Sequence, residues 1–340
     1  MKNLSFLNQL IFFINNVFAL LYLASFSLPY VPPKSFPLLS IMSLMVPLLI
    51  FAHIGFILYW LLAGIKKQAL LSSFCIVLAI VFSFFPYKFN DKTLISGSSF
   101  AVMNYNVRIF NKYKWINNDE IPRQISAFIN EQDPDLLSFQ EYYPAKDLSL
   151  NFPYKYEKLT GKRNSIGLGL FSKYRIVNQG SLDFEHSNNN AIFIDIIKND
   201  DTIRVYNVHL ESFGIKPDSV DLNLNETQSK KLISRLKSSF TKQQSQVEKF
   251  LEHKNHCSYK VIICGDFNNT YYSWAYHKLK GDLTDTFLAA GKGFGKTYSF
   301  NKYPLRIDFI LADKKFKVNQ HQNFNVKLSD HEPILARLSY

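Results

Sequence analysis

Val261-Ile-Ile-Cys-Gly-Asp-Phe-Asn268 runs four apolar residues into a glycine, then delivers a carboxylate and an amide within three positions. A short run rich in Val and Ile reads as a β-strand, and Gly, Asp and Asn after it read as the turn that stops it. Alone, a Gly-Asp-Phe-Asn stretch is a plain turn, but the arrangement recurs along the chain. Asn106 ends Met103-Asn-Tyr-Asn-Val-Arg108, Glu141 ends Leu136-Leu-Ser-Phe-Gln-Glu141, and His209 ends Val205-Tyr-Asn-Val-His209. Asp308 interrupts Arg306-Ile-Asp-Phe-Ile-Leu311, and Asp330-His331 precedes Glu332-Pro-Ile-Leu335. Strands of one sandwich deliver their ends to a common rim, so these distant residues can converge there. Asp308 is the hardest to dismiss. A carboxylate buried without a partner is costly, and it asks for a cation or a histidine such as His331.

Working outward, strands are expected over Phe100–Val107, Leu136–Phe139, Gly167–Phe171, Ala191–Ile197, Ile203–Leu210, Tyr259–Gly265, Arg306–Leu311 and Ile334–Leu338. Helical periodicity links some of them. Ile121, Ile125, Phe128 and Ile129 mark one apolar face, closed by Asp133-Pro134. A longer face runs from Leu232, Leu236 and Phe240 to Val247, Phe250 and Leu251. Glu211–Gln228 is polar and irregular, and is expected to be a surface loop beside the site. Tyr271, Tyr272 and Trp274 are expected to pack rather than to line a groove.

Composition changes abruptly near Pro86. Of 39 basic and 27 acidic residues in 340, only six lysines and one aspartate lie before residue 98, giving a formal charge of +5 there and +7 beyond. A bilayer-spanning helix needs about 20 mostly apolar residues. Residues 7–28, 38–62 and 69–85 reach or approach that length, so 1–90 is read as a membrane anchor and 98–340 as a globular domain. The first span carries Asn8, Gln9, Asn15 and Asn16, and is the least lipid-like. His53 in the second reads as a helix-packing contact. A cleaved signal peptide leaves the second and third spans unexplained. Placing Lys66 and Lys67 in the cytoplasm puts the C-terminal domain on the extracytoplasmic side of a multi-pass membrane protein. Three Cys are too few for a disulfide framework and lack zinc spacing. Cys257 could pair with Cys264 in an oxidising compartment, but free thiols are the expectation.

The ordered set Asn-x-Arg, Gln-Glu, Asn-Val-His-Leu, Gly-Asp-Phe-Asn, Arg-Ile-Asp-Phe-Ile-Leu and Ser-Asp-His-x-Pro resembles the endonuclease/exonuclease/phosphatase, or DNase I-like, family. The likeness covers residue 98 to the C-terminus. Gly167-Leu-Gly-Leu-Phe-Ser172 and the Thr297 region add to it without assigned chemistry. It implies an α/β (α+β) fold, a four-layer α/β/β/α sandwich, here preceded by three transmembrane helices. It also implies hydrolysis of a phosphate ester with Mg²⁺ or Mn²⁺. Glu141 would be the main metal ligand, with Asn106 and Asp330 beside the metal, since hard cations prefer carboxylate oxygen. Asp308 would hold His331 against the scissile phosphate, and Asp266 would orient or deprotonate the attacking water. Asn268 would fix a phosphate oxygen, His209 would assist the leaving group, and Arg108 and Asn106 would contact substrate.

The substrate is less defined. The Trp-x-Gly-Asp-x-Asn-Tyr-Arg and Pro-Ala-Trp-Cys-Asp-Arg boxes of inositol phosphatases are replaced here by Ile-Cys-Gly-Asp-Phe-Asn-Asn-Thr and Pro-Leu-Arg-Ile-Asp. A nucleic acid or a phospholipid headgroup remains, the latter making a lipid phosphodiesterase of sphingomyelinase type. The lipid bilayer is the other expected partner, and no protein partner is expected. A catalytically inactive membrane scaffold would show substitutions at the metal or base positions, and these are intact.

Overall fold

The computed structural model describes residues 4–90, 99–160, 166–214, 225–300 and 303–340. The expected domain start at residue 98, and residues 215–224 of the polar Glu211–Gln228 region, lie outside that set.

Two six-stranded sheets form the centre. Across the first lie Lys317–Asn323 (β15), Ile334–Ser339 (β16), Phe100–Asn106 (β2), Leu136–Tyr142 (β3), Ile166–Ser172 (β5) and Tyr154–Thr160 (β4). Across the second lie Thr284–Asp285 (β10), Asp308–Ala312 (β14), Lys260–Asp266 (β9), Asp201–His209 (β8), Ala191–Lys198 (β7) and Ile176–Ser181 (β6). Lys88–Phe89 (β1) pairs with Lys292–Gly293 (β11), and Tyr298–Phe300 (β12) with Tyr303–Leu305 (β13). Side chains alternate across each strand, so every second residue enters the layer between the sheets. Phe100, Val102, Ile334 and Ala336 from one sheet meet Ile194, Val205, Ile262 and Ile310 from the other.

The outer layers are helical. Ile121–Gln132 (α5) turns Ile121, Ile125 and Ile129 onto the first sheet. Asp133 ends it in a left-handed cap (φ 47°), a conformation that Asp tolerates better than most residues, and Pro134 follows. Glu226–Asn255 (α6) lays Val247 and Phe250 on the second sheet, joined by Trp274–Lys280 (α7). Asn225 and Gln228 close a capping box at the start of α6. Thr286–Ala290 (α8) sits at the edge of that sheet. A mixed α/β sandwich of four layers is what the motifs implied.

Of the strands that were not expected, β1, β10, β11, β12 and β13 are only two or three residues long, and the three longer ones share a cause. Tyr154–Thr160, Ile176–Ser181 and Lys317–Asn323 all lie at sheet edges, and are rich in Lys, Asn, Gln and Ser. Edge strands face water on one side and carry no continuous apolar run.

Of the three expected spans, the N-terminal region supports one by length and composition. Phe6–Ser25 (α1) continues through a short 3₁₀ turn at Leu28–Tyr30, and this Phe6–Tyr30 stretch is the one helix among the described residues long and apolar enough to cross a membrane. The expected 38–62 span is broken into Pro37–Met42 (α2) and Val46–Leu62 (α3), the latter apolar but only 17 residues long. The break has a physical reason: Pro47 has no N–H for the Ser43 carbonyl four residues before it, and that carbonyl accepts instead from Thr270 of the globular domain at 3.0 Å. The third, Lys66–Val81 (α4), has 16 residues, and Ser83 (φ 57°) ends its run.

α1, α3 and α4 pack on one another around a polar centre. Asn15 donates to Ser72 Oγ (2.8 Å) and accepts from Trp60 Nε1 (3.0 Å), while His53 Nδ1 lies 3.0 Å from Ser72 Oγ. His53 is thus a packing contact, as its setting suggested. The bundle docks on the α6–α7 side of the sandwich. Tyr271 and Tyr272 hydroxyls both donate to Phe84 O, and Lys34 N–H donates to Gln244 Oε1. Tyr272 is buried there and Tyr271 partly so, which agrees with packing. Cys75, Cys257 and Cys264 are free thiols.

Candidate active site

Strand register brings the polar strand ends together. In the second sheet Asp266 is the cross-strand partner of both His209 and Asp308. In the first sheet Asn106 pairs with Gln140, one residue before Glu141. Gly265 is required by the approach of β8, since a Cβ there would lie 1.9 Å from Val208 O. Glu141 sits in a bulge between Phe139 and Tyr142 with φ 49°, which takes it off the ladder.

At the centre, Asp266 is 1% exposed. Its Oδ2 accepts from Asn106 Nδ2 at 3.0 Å, and its Oδ1 from Asn268 N–H at 2.8 Å. His209 Nε2 and His331 Nε2 each lie 3.7 Å from Asp266 Oδ2. His331 Nδ1 is held by Asp308 Oδ2 at 2.9 Å, the partnership that the lone carboxylate required. Asn268 turns its amide onto Leu210 O (3.0 Å) with a left-handed backbone. Asn106 Oδ1 accepts from Arg108 N–H, and Arg108 Nε reaches Asp330 Oδ2 at 3.3 Å. All the sequence-predicted residues thus occupy one rim, with Glu141, Arg108 and Asp330 towards the first sheet.

Electrostatics divides the two histidines. Burial opposes a charge on His331, but the Asp308 and Asp266 carboxylates outweigh it and raise its pKa to about 10. Burial, then the charge of His331, lowers His209 to about 3. Burial, then Asp308, raises Asp266 to about 7. Near neutral pH the site therefore holds an imidazolium, a neutral imidazole and a carboxylate of unusual basicity. Groups pushed apart in this way can divide acid and base duties.

Two features fit a cation. Asp308 Oδ1 is buried without a partner, and Glu141 is raised first by burial and then by the charge of Asp330. Ligand atoms of Asp266, Asp308 and His331 also lie within 4.8 Å of one another. That trio suits a hydrogen-bonded relay better, because His331 Nδ1 already shares its proton with Asp308. The Glu141 side, where the carboxylates of Glu141 and Asp330 face each other, offers the oxygen donors that suit Mg²⁺ or Mn²⁺.

Sequence reading passed over a supporting layer. Gln140 Nε2 bridges the two sheets, donating to Asn104 Oδ1 (2.8 Å) and Asn207 Oδ1 (2.7 Å). Asn207 Nδ2 donates to Phe139 O and Gly169 O. These amides stand inside apolar runs, the same signal that drew attention to Asp308. Thr297 Oγ1 accepts from the N–H of Ile307 and Asp308, and the Tyr298 ring lies 4.8 Å from that of His331.

An α/β/β/α sandwich with carboxylate and histidine at one rim defines a class of hydrolytic scaffold. Residues 103–331 match the Endonuclease/Exonuclease/phosphatase family, and the chain belongs to it; its members are hydrolases acting on phosphate esters. Residues 8–85 match a domain of unknown function, DUF8431. Among curated proteins none matches. Solved structures share the fold at low identity. D. rerio TDP2 complexed with single strand DNA product is 16% identical, with TM-score 0.54, covering 72% of this chain and all of its own. A functionally unknown conserved protein from Enterococcus faecalis V583 is 18% identical (TM-score 0.54; 70% and 99% covered). The human Nocturnin catalytic domain with bound sulfate is 17% identical (TM-score 0.51; 71% and 93% covered).

Proposed function

We propose that residues 98–340 are a divalent-metal-dependent phosphodiesterase of nuclease-like type, held at a membrane by residues 1–90. The observation that carries the reading is the meeting of Asn106, Glu141, His209, Asp266, Asp308 and His331 at one rim, from strands of both sheets. Glu141, with Asp330 and Asn106, would hold Mg²⁺ or Mn²⁺, which when bound offsets the negative charge that builds during in-line displacement. The chain's own groups do the rest. Asp266, raised towards neutrality, accepts the proton of the attacking water, and Asn268 fixes a phosphate oxygen. His331, kept cationic by Asp308, donates to the phosphate. His209, neutral and buried, sits where it can assist the leaving oxygen.

The test is hydrolysis by the full chain in detergent. Plasmid DNA, RNA, sphingomyelin, phosphoinositides and a generic bis-ester are each offered with Mg²⁺, Mn²⁺ or a chelator. Glu141→Gln should lower metal-dependent turnover by about 10²-fold or more. A rate equal to wild type would overturn the assignment.

Membrane anchorage draws support from the inside-out character of the helical bundle. Its interior holds Asn15, Ser72, His53 and Trp60 in hydrogen bonds, while Phe6, Phe13, Leu20, Leu62, Leu70 and Val81 point outward and are more than half exposed. In lipid, polar groups between helices act as adhesive and apolar faces meet the acyl chains. Tilting or local thinning of the bilayer accommodates helices as short as α3 and α4. The lysines at 66 and 67 favour an extracytoplasmic catalytic domain.

A further inference from the structure

Beside the rim, Arg108-Ile-Phe-Asn-Lys-Tyr-Lys-Trp115 interleaves basic and aromatic residues on an unusual backbone. Arg108, Ile109, Phe110 and Asn111 are consecutively left-handed, with φ 42°, 54°, 46° and 60°. Non-glycine residues resist this conformation, and runs of it persist only where the surroundings enforce it. Here they do. Phe110 is buried against Phe139 and Tyr142, and the Asn111 side chain binds Ile116 O, Asn118 O and Ile116 N–H.

The result is a fixed display. The Arg108 guanidinium lies 4.3 Å above the Trp115 ring with Nε 3.3 Å from Asp330 Oδ2, and its terminal N–H groups make no hydrogen bond among the described residues. A shallow pocket of about 90 Å³ opens between Trp115, Arg108 and Asp330. Trp115 is 43% exposed and Tyr113 61%, their rings edge-on at 5.3 Å. Nothing in the domain's packing needs these two rings outside.

We propose that Arg108, Tyr113 and Trp115 form a subsite for single-stranded nucleic acid next to the scissile phosphate. Resting on the phosphodiesterase reading, it assigns the substrate class. The terminal N–H groups of Arg108 fork onto a neighbouring phosphate, as guanidinium favours. The Tyr113 ring, and the Trp115 face that Arg108 does not cover, stack unpaired bases, which any sequence can supply. A duplex hides those faces. A bilayer contact is disfavoured by position: this loop belongs to the outer layer on the first sheet, while the N-terminal helices dock on the second.

The test separates binding from turnover. In chelator, a labelled single-stranded hexanucleotide is titrated with full-length wild type, Trp115→Ala, Trp115→Phe and Tyr113→Ala in detergent. Trp115→Ala should raise Kd about tenfold and Tyr113→Ala severalfold, with Trp115→Phe close to wild type, and blunt duplex should bind more weakly than single strand. With metal, Trp115→Ala should raise KM for the oligonucleotide far more than it lowers kcat. Equal Kd for wild type and Trp115→Ala, or loss confined to sphingomyelin vesicles, overturns the subsite. Absence of any wild-type bis-ester hydrolysis overturns the phosphodiesterase reading instead, and leaves the binding result to stand or fall alone.

Discussion

Asp308 is both costly and indispensable to the site. It is 1% exposed, has one unpartnered oxygen, and lies close enough to Asp266 to raise that residue's pKa. Its return is the hold on His331, whose charge and orientation depend on it. Replacing it by asparagine keeps the shape but removes the charge. Asp308→Asn should therefore lower turnover by about 10²–10⁴-fold and also lower the melting temperature, because the buried His331 imidazolium loses its nearest carboxylate. Kinetics measured well below both melting transitions, with melting in parallel, check this; a folded Asp308→Asn protein that turns over at the wild-type rate would mean Asp308 is structural. Such residues were legible in sequence because charge inside an apolar run demands explanation. Tyr298 and Thr297 were assigned no chemistry, since a tyrosine or threonine near a strand carries no comparable demand.

At the scale of elements, the edge formed by β10, β14, α8 and β15 carries a second polar cluster. Arg306 and Asp285 are paired at 2.8 Å, 5% and 1% exposed as side chains, and Thr286 Oγ1 lies 2.8 Å from His321 Nδ1. Burial first lowers His321, to about 4, despite the pull of Asp285. Burial opposes charge on Asp285, but Arg306 and the Tyr276 hydroxyl hold it below the usual carboxylate range. The unfolded chain takes a proton on His321 near pH 6.5, whereas the folded one refuses it until about pH 4. Its contribution is therefore complete above pH 6.5 and lost as pH falls towards 4, by roughly 3 kcal/mol. Asp285 adds a loss that begins below its unfolded pKa and continues as pH drops. Melting followed from pH 7 to 4.5 should fall less steeply in His321→Gln than in wild type, although His209 contributes in the same window. Identical slopes would show that His321 does not resist protonation. Central strands such as β2, β8 and β9 were readable from apolar runs; the edge strands were not, because their register comes from neighbours rather than from a pattern of their own.

At the scale of the whole molecule, the helical bundle and the sandwich meet directly. Tyr271 and Tyr272 follow the Gly-Asp-Phe-Asn turn and grip Phe84, just beyond the end of α4, so the candidate rim and the bundle share a wall. If the bundle lies in a bilayer, the full chain should stay with membranes after alkaline extraction. A reporter active only in the cytoplasm, fused after Tyr340, should be silent; a soluble chain would remove the anchor, and a working reporter would invert the orientation. Sequence by itself determined the composition break near Pro86, the apolar strands, and the ordered motifs whose order is fixed by covalent connection. Pro47 marks in the sequence where the second expected span breaks, but only the tertiary structure decided that the Ser43 carbonyl it leaves free is taken up by Thr270, 227 residues away in the chain. It also decided that Gln140 ties the sheets together and that Arg108 rests on Trp115 with its donors open, since both depend on packing between segments that no local pattern records.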